Sequence, residues 1–176
     1  LTNIRTSVQL LKLFDPESRI IADYAWLETN FGKLVPMEVI VRMPPSLQAP
    51  IQASDQDDNS PASVTQLELI ERVEAAARVR TVVYRTLGEP GRGIVGQATG
   101  ADTFLPPLPE PTNGYSPVRS QFNRELAASS EELRDNDYLR IEKAGPFAGS
   151  ELWRISLRVA ALSDVDYGHF ISTLRE

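Results

Sequence analysis

Residues 151–170 read ELWRISLRVAALSDVDYGHF, and their spacing decides the fold. Over 153–161 the odd positions are apolar: Trp153, Ile155, Leu157, Val159 and Ala161. Arg154, Ser156 and Arg158 lie between them. Period two with β-branched and aromatic residues predicts a strand with one buried face. The stretch then opens a helix. Ser163 or Asp164 can cap it, Asp166 sits in its first turn, and Tyr167, Phe170 and Leu174 follow at spacings of three and four. The expected unit is a long strand feeding a helix.

The rest of the chain supplies partners for that unit. Ile4, Val8, Leu11 and Phe14 form one stripe of a helix over 3–14. Asp15 as cap and Pro16 at the first position start a second helix, in which Ile20, Tyr24, Leu27 and Phe31 recur and Gly32 closes the end. After Pro36, a strand is expected over 37–43, with Met37, Val39, Val41 and Met43 on one face and Glu38 and Arg42 on the other. Residues 44–61 form a polar, proline-rich connection. Ser63 and Gln66 then make a capping box for a helix with Val64, Leu67, Ile70, Val73 and Ala77 on its buried side, ending near Arg80. A short strand is expected over 81–87.

Residues 88–117 hold much of the Gly and Pro and show no periodicity, so a loop is expected there. Ser116-Pro117 opens a helix faced by Val118, Phe122, Leu126 and Leu133, with Ser129 interrupting it. A weak strand over 138–142 and a turn-rich segment over 143–150 complete a long-loop hairpin with the opening stretch. This order predicts an α+β fold: a split βαβ, ferredoxin-like sheet with N-terminal helices and a long loop and helix insertion. We read 1–32 as an N-terminal helical segment and 33–176 as the α+β domain, with an insertion at 88–135. A complete split βαβ would need one more strand after Glu176. The chain opens at Leu1 and ends at Glu176 while helical spacing still runs, which leads us to expect a piece of a longer protein.

Composition narrows the chemistry. A chain of 176 residues can bury a core without disulfides or metal. The absence of cysteine excludes disulfides, thiolate zinc sites, iron–sulfur clusters and cysteine nucleophiles. The single histidine, His169, excludes any site in this chain built on a histidine cluster. A net charge of −6 and a pI near 4.9 argue against nucleic acid as a partner. No apolar run approaches the roughly 18–20 residues that span a bilayer.

Several motifs carry chemistry only in the right setting. Gly91, Gly93 and Gly96 match G-x-G-x-x-G, but Pro90 precedes them and no helix is expected to open on the third glycine, so a loop is the better reading. Asp55, Asp57 and Asp58 lack the glycine and closing glutamate of a calcium loop. His169 near Asp164 and Asp166 could form a base or metal site, yet aspartates in a first helical turn serve capping and the helix dipole. There is no G-x-S-x-G and no second histidine for a triad. We therefore expect no catalytic residues, no metal and no cofactor.

Surface recognition is what remains. Arg154 and Arg158 lie on the polar side of one strand, and Glu38 and Arg42 on the polar side of another. As neighbours, Glu38 and an arginine would pair across the sheet for about 0.2–1 kcal/mol. Such a face is either a solvated surface or a charged wall along a substrate path. Phe104 and Leu105 belong to an apolar patch, TFLPPL at 103–108, which either tucks onto the core or forms a contact surface.

Two stretches resemble a known family. GKLVPMEVIVR at 32–42 follows a helix ending in ETNF, and LWRISLRVAAL followed by DVDYGHF closes the chain. Together they resemble the first large extracytoplasmic loop of bacterial RND-superfamily exporters of the MMPL-like type. DPESRIIADYAWLETNFG at 15–32 is similar to the segment just after the first membrane helix of that family. The resemblance covers both ends and the 62–87 unit; residues 88–135 match nothing in it. It implies a porter subdomain on the periplasmic side of the inner membrane, lining a route for hydrophobic, amphiphilic or lipid substrates. Its partners would be the membrane helices of its own chain and other protomers. The closing strand would come from beyond Glu176, and the proton- or ion-coupling residues would lie in the membrane. The alternative is a free-standing ligand-binding or interaction module of the same shape.

Overall fold

The computed structural model of the chain describes residues 14–49, 66–112 and 114–161. All but Phe14 of the expected helix over 3–14, the helix from 163 onward, Ser63 of the expected capping box, the Asp55–Asp57–Asp58 run and the Asp164–Asp166–His169 group lie outside the described residues.

The long strand forms as β4, Glu151–Val159, with every odd side chain buried. It begins two residues earlier than the apolar alternation predicts, so Glu151 joins the buried row. Strand β3, Leu139–Ile141, pairs with it antiparallel, Leu139 opposite Trp153. Strand β1, Val35–Met43, and strand β2, Val95–Thr99, complete an antiparallel sheet in the order β1-β4-β2. Helix α2, Leu69–Leu87, joins β1 to β2, which are not neighbours because β4 lies between them. That is the strand order of a split βαβ, and the fold is α+β.

Strand β1 alternates as expected, with odd positions half-buried, Met43 fully so, and even ones exposed. It begins at Val35, two residues before the expected start, and so includes Pro36. The pairing geometry explains the tolerance. Arg154 and Glu38 meet at 3.5 Å, so the even positions of β4 and β1 share a face. The Arg154 N–H is donated to the Tyr138 carbonyl at 3.0 Å, on the side of β4 away from β1. Opposed residues of an antiparallel ladder either exchange both bonds or neither. The even N–H groups of β1 therefore point to its outer edge, and Pro36 lacks only a donor that the ladder does not use.

Three expectations along α2 and β2 need correction. Leu67, expected inside a helix, lies in a bridge with Gln48, and α2 starts at Leu69. The strand expected over 81–87 is instead the last two turns of α2. The run Thr81-Val82-Val83-Tyr84 favours a strand by propensity, but Ile70, Val73, Ala76, Val83 and Leu87 keep one helical stripe buried. Val82 is exposed, and no breaker intervenes before Gly88, whose N–H closes on the Tyr84 carbonyl at 2.8 Å. Packing at the helical period overrides the local preference. The third correction is β2, which lies inside the segment read as a loop. Its five residues, VGQAT, bury Val95 and Ala98, a spacing without period two. Gly93, at φ +66°, and Gly91 form the turn that reverses the chain from α2 into β2. The glycine motif thus runs from helix to strand, opposite to the order a phosphate cradle requires.

The remaining elements form, with departures in α1 and at Val118, which was expected on the face of its helix and is exposed. Helix α1, Arg19–Phe31, ends at Gly32 with φ +82°. It starts later than expected because Asp15 closes a turn of its own: its carboxylate accepts the Glu17 N–H at 2.9 Å and its carbonyl the Ser18 N–H at 2.9 Å. Its less exposed residues are Ile21, Tyr24, Leu27 and Glu28, whereas Ile20 and Phe31, expected on the buried stripe, are exposed. Ser116 caps helix α3, Pro117–Ala128, and Ser129 separates it from helix α4, Ser130–Asp135.

The chain divides into two compact units, and β1, β2, β4 and α2 contribute residues to both. One unit comprises Glu38–Thr81 and Thr99–Ser156. Its core gathers Met43, Leu69, Ile70, Val73, Ala76, Ala101, Leu126, Leu133, Leu139 and Trp153. Each large apolar side chain of that set contributes about 1.5–3 kcal/mol by burial. The other unit comprises Leu1–Met37, Val82–Ala98 and Leu157–Glu176. There the Ala160 N–H reaches the Ile94 carbonyl at 2.9 Å, and the Ala161 N–H is donated to the Glu28 carboxylate.

Candidate functional site

Two polar constellations stand out, both inside the unit that carries the Trp153 core. The first lies on the even face of β1 and β4, opposite α2. Arg154 Nη1 lies 3.5 Å from Glu38 Oε1, and its Nη2 donates to the Asn136 carbonyl at 3.0 Å. The guanidinium sits over the Tyr138 ring, 4.9 Å from its centroid. Tyr138 in turn packs against Phe104, with ring centroids 5.0 Å apart. Alternation puts Glu38 and Arg154 on this face, and the turn after α4 delivers Tyr138 to it.

A second arginine on the same face of β1 repeats the arrangement. Arg42 Nε lies 3.1 Å from Glu142 Oε2, and its guanidinium stacks on Phe147 at 4.4 Å. Each arginine is thus held between a carboxylate and an aromatic ring. Guanidinium–ring contacts of this kind contribute about 0.5–1 kcal/mol at exposed sites.

Of the five residues expected at a surface, the structure brings Arg154, Glu38 and Phe104 together, the last through Tyr138. Leu105 turns inward and packs against the core, next to an exposed Phe104. Arg158 belongs to the other unit, where its Nη1 donates to the Leu34 carbonyl at 3.3 Å. The apolar patch at 103–108 therefore does both things open to it: Leu105 and Leu108 tuck onto the core, and Phe104, Pro106 and Pro107 stay exposed.

The second constellation is buried and was not expected. Arg72 of α2 is fully buried, and its Nε lies 3.0 Å from Glu151 Oε2. The Trp153 indole N–H donates to the same carboxylate oxygen at 3.0 Å. Arg72 Nη1 donates to the Ala49 and Leu67 carbonyls at 3.0 and 2.9 Å, which fastens together the two ends of the chain flanking 50–65. Nη2 has no hydrogen-bond partner among the described residues. Burial lowers the Arg72 pKa, and the nearby carboxylates of Glu151 and Glu71 oppose that shift. Two sequence signals were present. Arg72 lies within the apolar stripe of α2, and Glu151 continues the buried odd row of β4.

A third pair braces the adjoining loop. Arg119 engages both oxygens of Glu74, at 2.6 and 3.1 Å, and donates to the Pro109 carbonyl at 2.7 Å. The hydrogen bond to Glu74 raises the Arg119 pKa. Among the described residues no three His, Asp or Glu side chains gather as metal ligands, and no helix is long and apolar enough to cross a membrane. No protein-family model matches the chain, and comparison with curated proteins and with solved structures gives no match.

Proposed function

We propose that the chain is a porter domain of an RND-type exporter, a domain without chemistry of its own that lines or gates the path of a hydrophobic or amphiphilic substrate. The observation that carries this reading is the even face of β1 and β4. Arg154 and Arg42 are each held between a ring and a carboxylate there, with exposed Ile40 between Glu38 and Arg42 along β1. Such a wall offers apolar contact and fixed charge side by side, which suits amphiphiles passing along it. The wording of residues 15–42 and 152–170 supports the same reading through its resemblance to the first extracytoplasmic loop of MMPL-like exporters. On this proposal the domain works on the periplasmic side of a bacterial inner membrane, with the membrane helices of its own chain as its first partners.

The intact reading frame tests the proposal. Apolar segments of about 20 residues on both sides of this stretch are expected. A frame that lacks them sinks the transporter reading and leaves the free-standing binding module.

A further inference from the structure

We propose that residues 105–111 form a surface-mounted polyproline II ligand, read by a partner protein through an aromatic-lined groove with a basic rim. The segment is LPPLPEP, with Pro106, Pro107, Pro109 and Pro111 among seven residues. Each proline ring holds φ near −65°, and each residue before a proline is pushed to extended backbone. Leu105 is in that region, at φ −96° and ψ 157°. No described peptide bond is cis. Among the described residues the only backbone hydrogen bond of 105–111 is the one that the Pro109 carbonyl accepts from Arg119. An extended run with free backbone groups is the signature of polyproline II, which has three residues per turn and no internal hydrogen bonds.

The three-residue period sorts the side chains into edges. Leu105 and Leu108 share one edge, and both pack against the Trp153 core. Pro106 and Pro109 share the second edge, and Pro107 and Glu110 the third. Pro106, Pro107 and Glu110 are exposed. A polyproline II ligand lays two edges into its groove and leaves one out. Here the edge left out is the one anchored in the core; the third edge is exposed, and of the second Pro106 is exposed and Pro109 half-buried beside Arg119. Exposed Phe104 precedes the strap and exposed Tyr115 follows it.

The strap is also held in shape before any partner arrives. Arg119 fixes the Pro109 carbonyl while gripping Glu74 through both carboxylate oxygens. A ligand already in its bound form loses less entropy on docking. Glu110, exposed and without a cation among the described residues, sets the charge expected of the groove's rim.

The test uses a peptide of residues 103–112, TFLPPLPEPT, and the whole chain. The probes are ¹⁵N-labelled SH3 and WW domains, which read proline-rich segments in aromatic grooves. The peptide is expected to shift the groove residues of at least one probe. The folded chain is expected to shift the same residues with equal or lower Kd. The double variant P106A/P107A, with its melting temperature checked, should bind at least about tenfold more weakly. Binding by the peptide but not by the folded chain would overturn the proposal. So would a peptide that neither probe binds, or a double variant that binds unchanged.

Discussion

Arg72 and Glu151 form an ion pair at 3.0 Å with both side chains withdrawn from water. It bridges the helix that joins the outer strands to the strand between them. Desolvating two charges offsets much of their attraction, so the pair itself adds little net stability. Removing one partner is different, because the other charge stays buried and alone. Glu151→Gln keeps an acceptor for the Trp153 indole and removes the charge. We expect it to lower unfolding free energy by about 3–5 kcal/mol in urea titrations. The double change R72M/E151L should recover part of that loss, since no charge remains, but not all of it. The Ala49 and Leu67 carbonyls would still lose their donor. Equal stability of wild type and Glu151→Gln would mean that the pair is not buried in solution.

Val82 lies on the exposed side of α2, so a substitution there tests the backbone more than packing. Val82→Pro should destabilise the chain by about 3 kcal/mol, because it removes a helical hydrogen bond and crowds the preceding turn. Val82→Ala should be neutral or slightly stabilising, since alanine is the better helix former. A strand at this position would reverse the second expectation.

Arg154 meets a partly exposed carboxylate and a ring, so its energetics should be modest. A double-mutant cycle between Arg154→Ala and Glu38→Ala should give a coupling of about 0.2–1 kcal/mol, falling as salt is added. Tyr138→Leu should cost a further fraction through the lost guanidinium–ring contact, about 0.5–1 kcal/mol. Chemical denaturation at low and high ionic strength checks both.

Arg119 gives a prediction with a definite sign. Its folded-state pKa is raised by the hydrogen bond to Glu74. Its contribution is therefore complete below the ordinary guanidinium range and is lost only as pH rises through the still higher folded value. The stability lost in Arg119→Met should not vary with Arg119 ionisation between about pH 6 and 9. A loss that shrinks steeply on going from pH 6 to 9 would contradict this ionisation state.

Much of the fold was legible from one kind of signal. The alternation in β4 and β1, the Ser116-Pro117 helix start and the turn-rich return before Ser150 all appear where spacing placed them. Sequence pattern and structure diverge where a local preference competes with longer-range packing. The β-branched run at 81–84 looks like a strand until Val83 and Leu87 are seen to extend the stripe of Ile70 and Val73. Strand β2 carries two small residues and little apolar pattern, so only its partner in the sheet defines it. At the site, alternation foretold that Glu38 and Arg154 share a face. The roles of Tyr138 and of the Arg72–Glu151 pair are not legible in the spacing, because they depend on contacts between residues far apart in sequence. The charge within each apolar row was the available clue.

On the proposed function, the even face of β1 and β4 meets amphiphilic molecules. The most direct measurement is a titration of the ¹⁵N-labelled chain with a lysophospholipid kept below its critical micelle concentration, followed by amide shifts. Saturable shifts centred on Glu38, Arg42, Tyr138, Arg154 and Phe104 are expected, and their loss in R42A/R154A. Shifts that never saturate, that fall elsewhere or that survive in the double variant would contradict it.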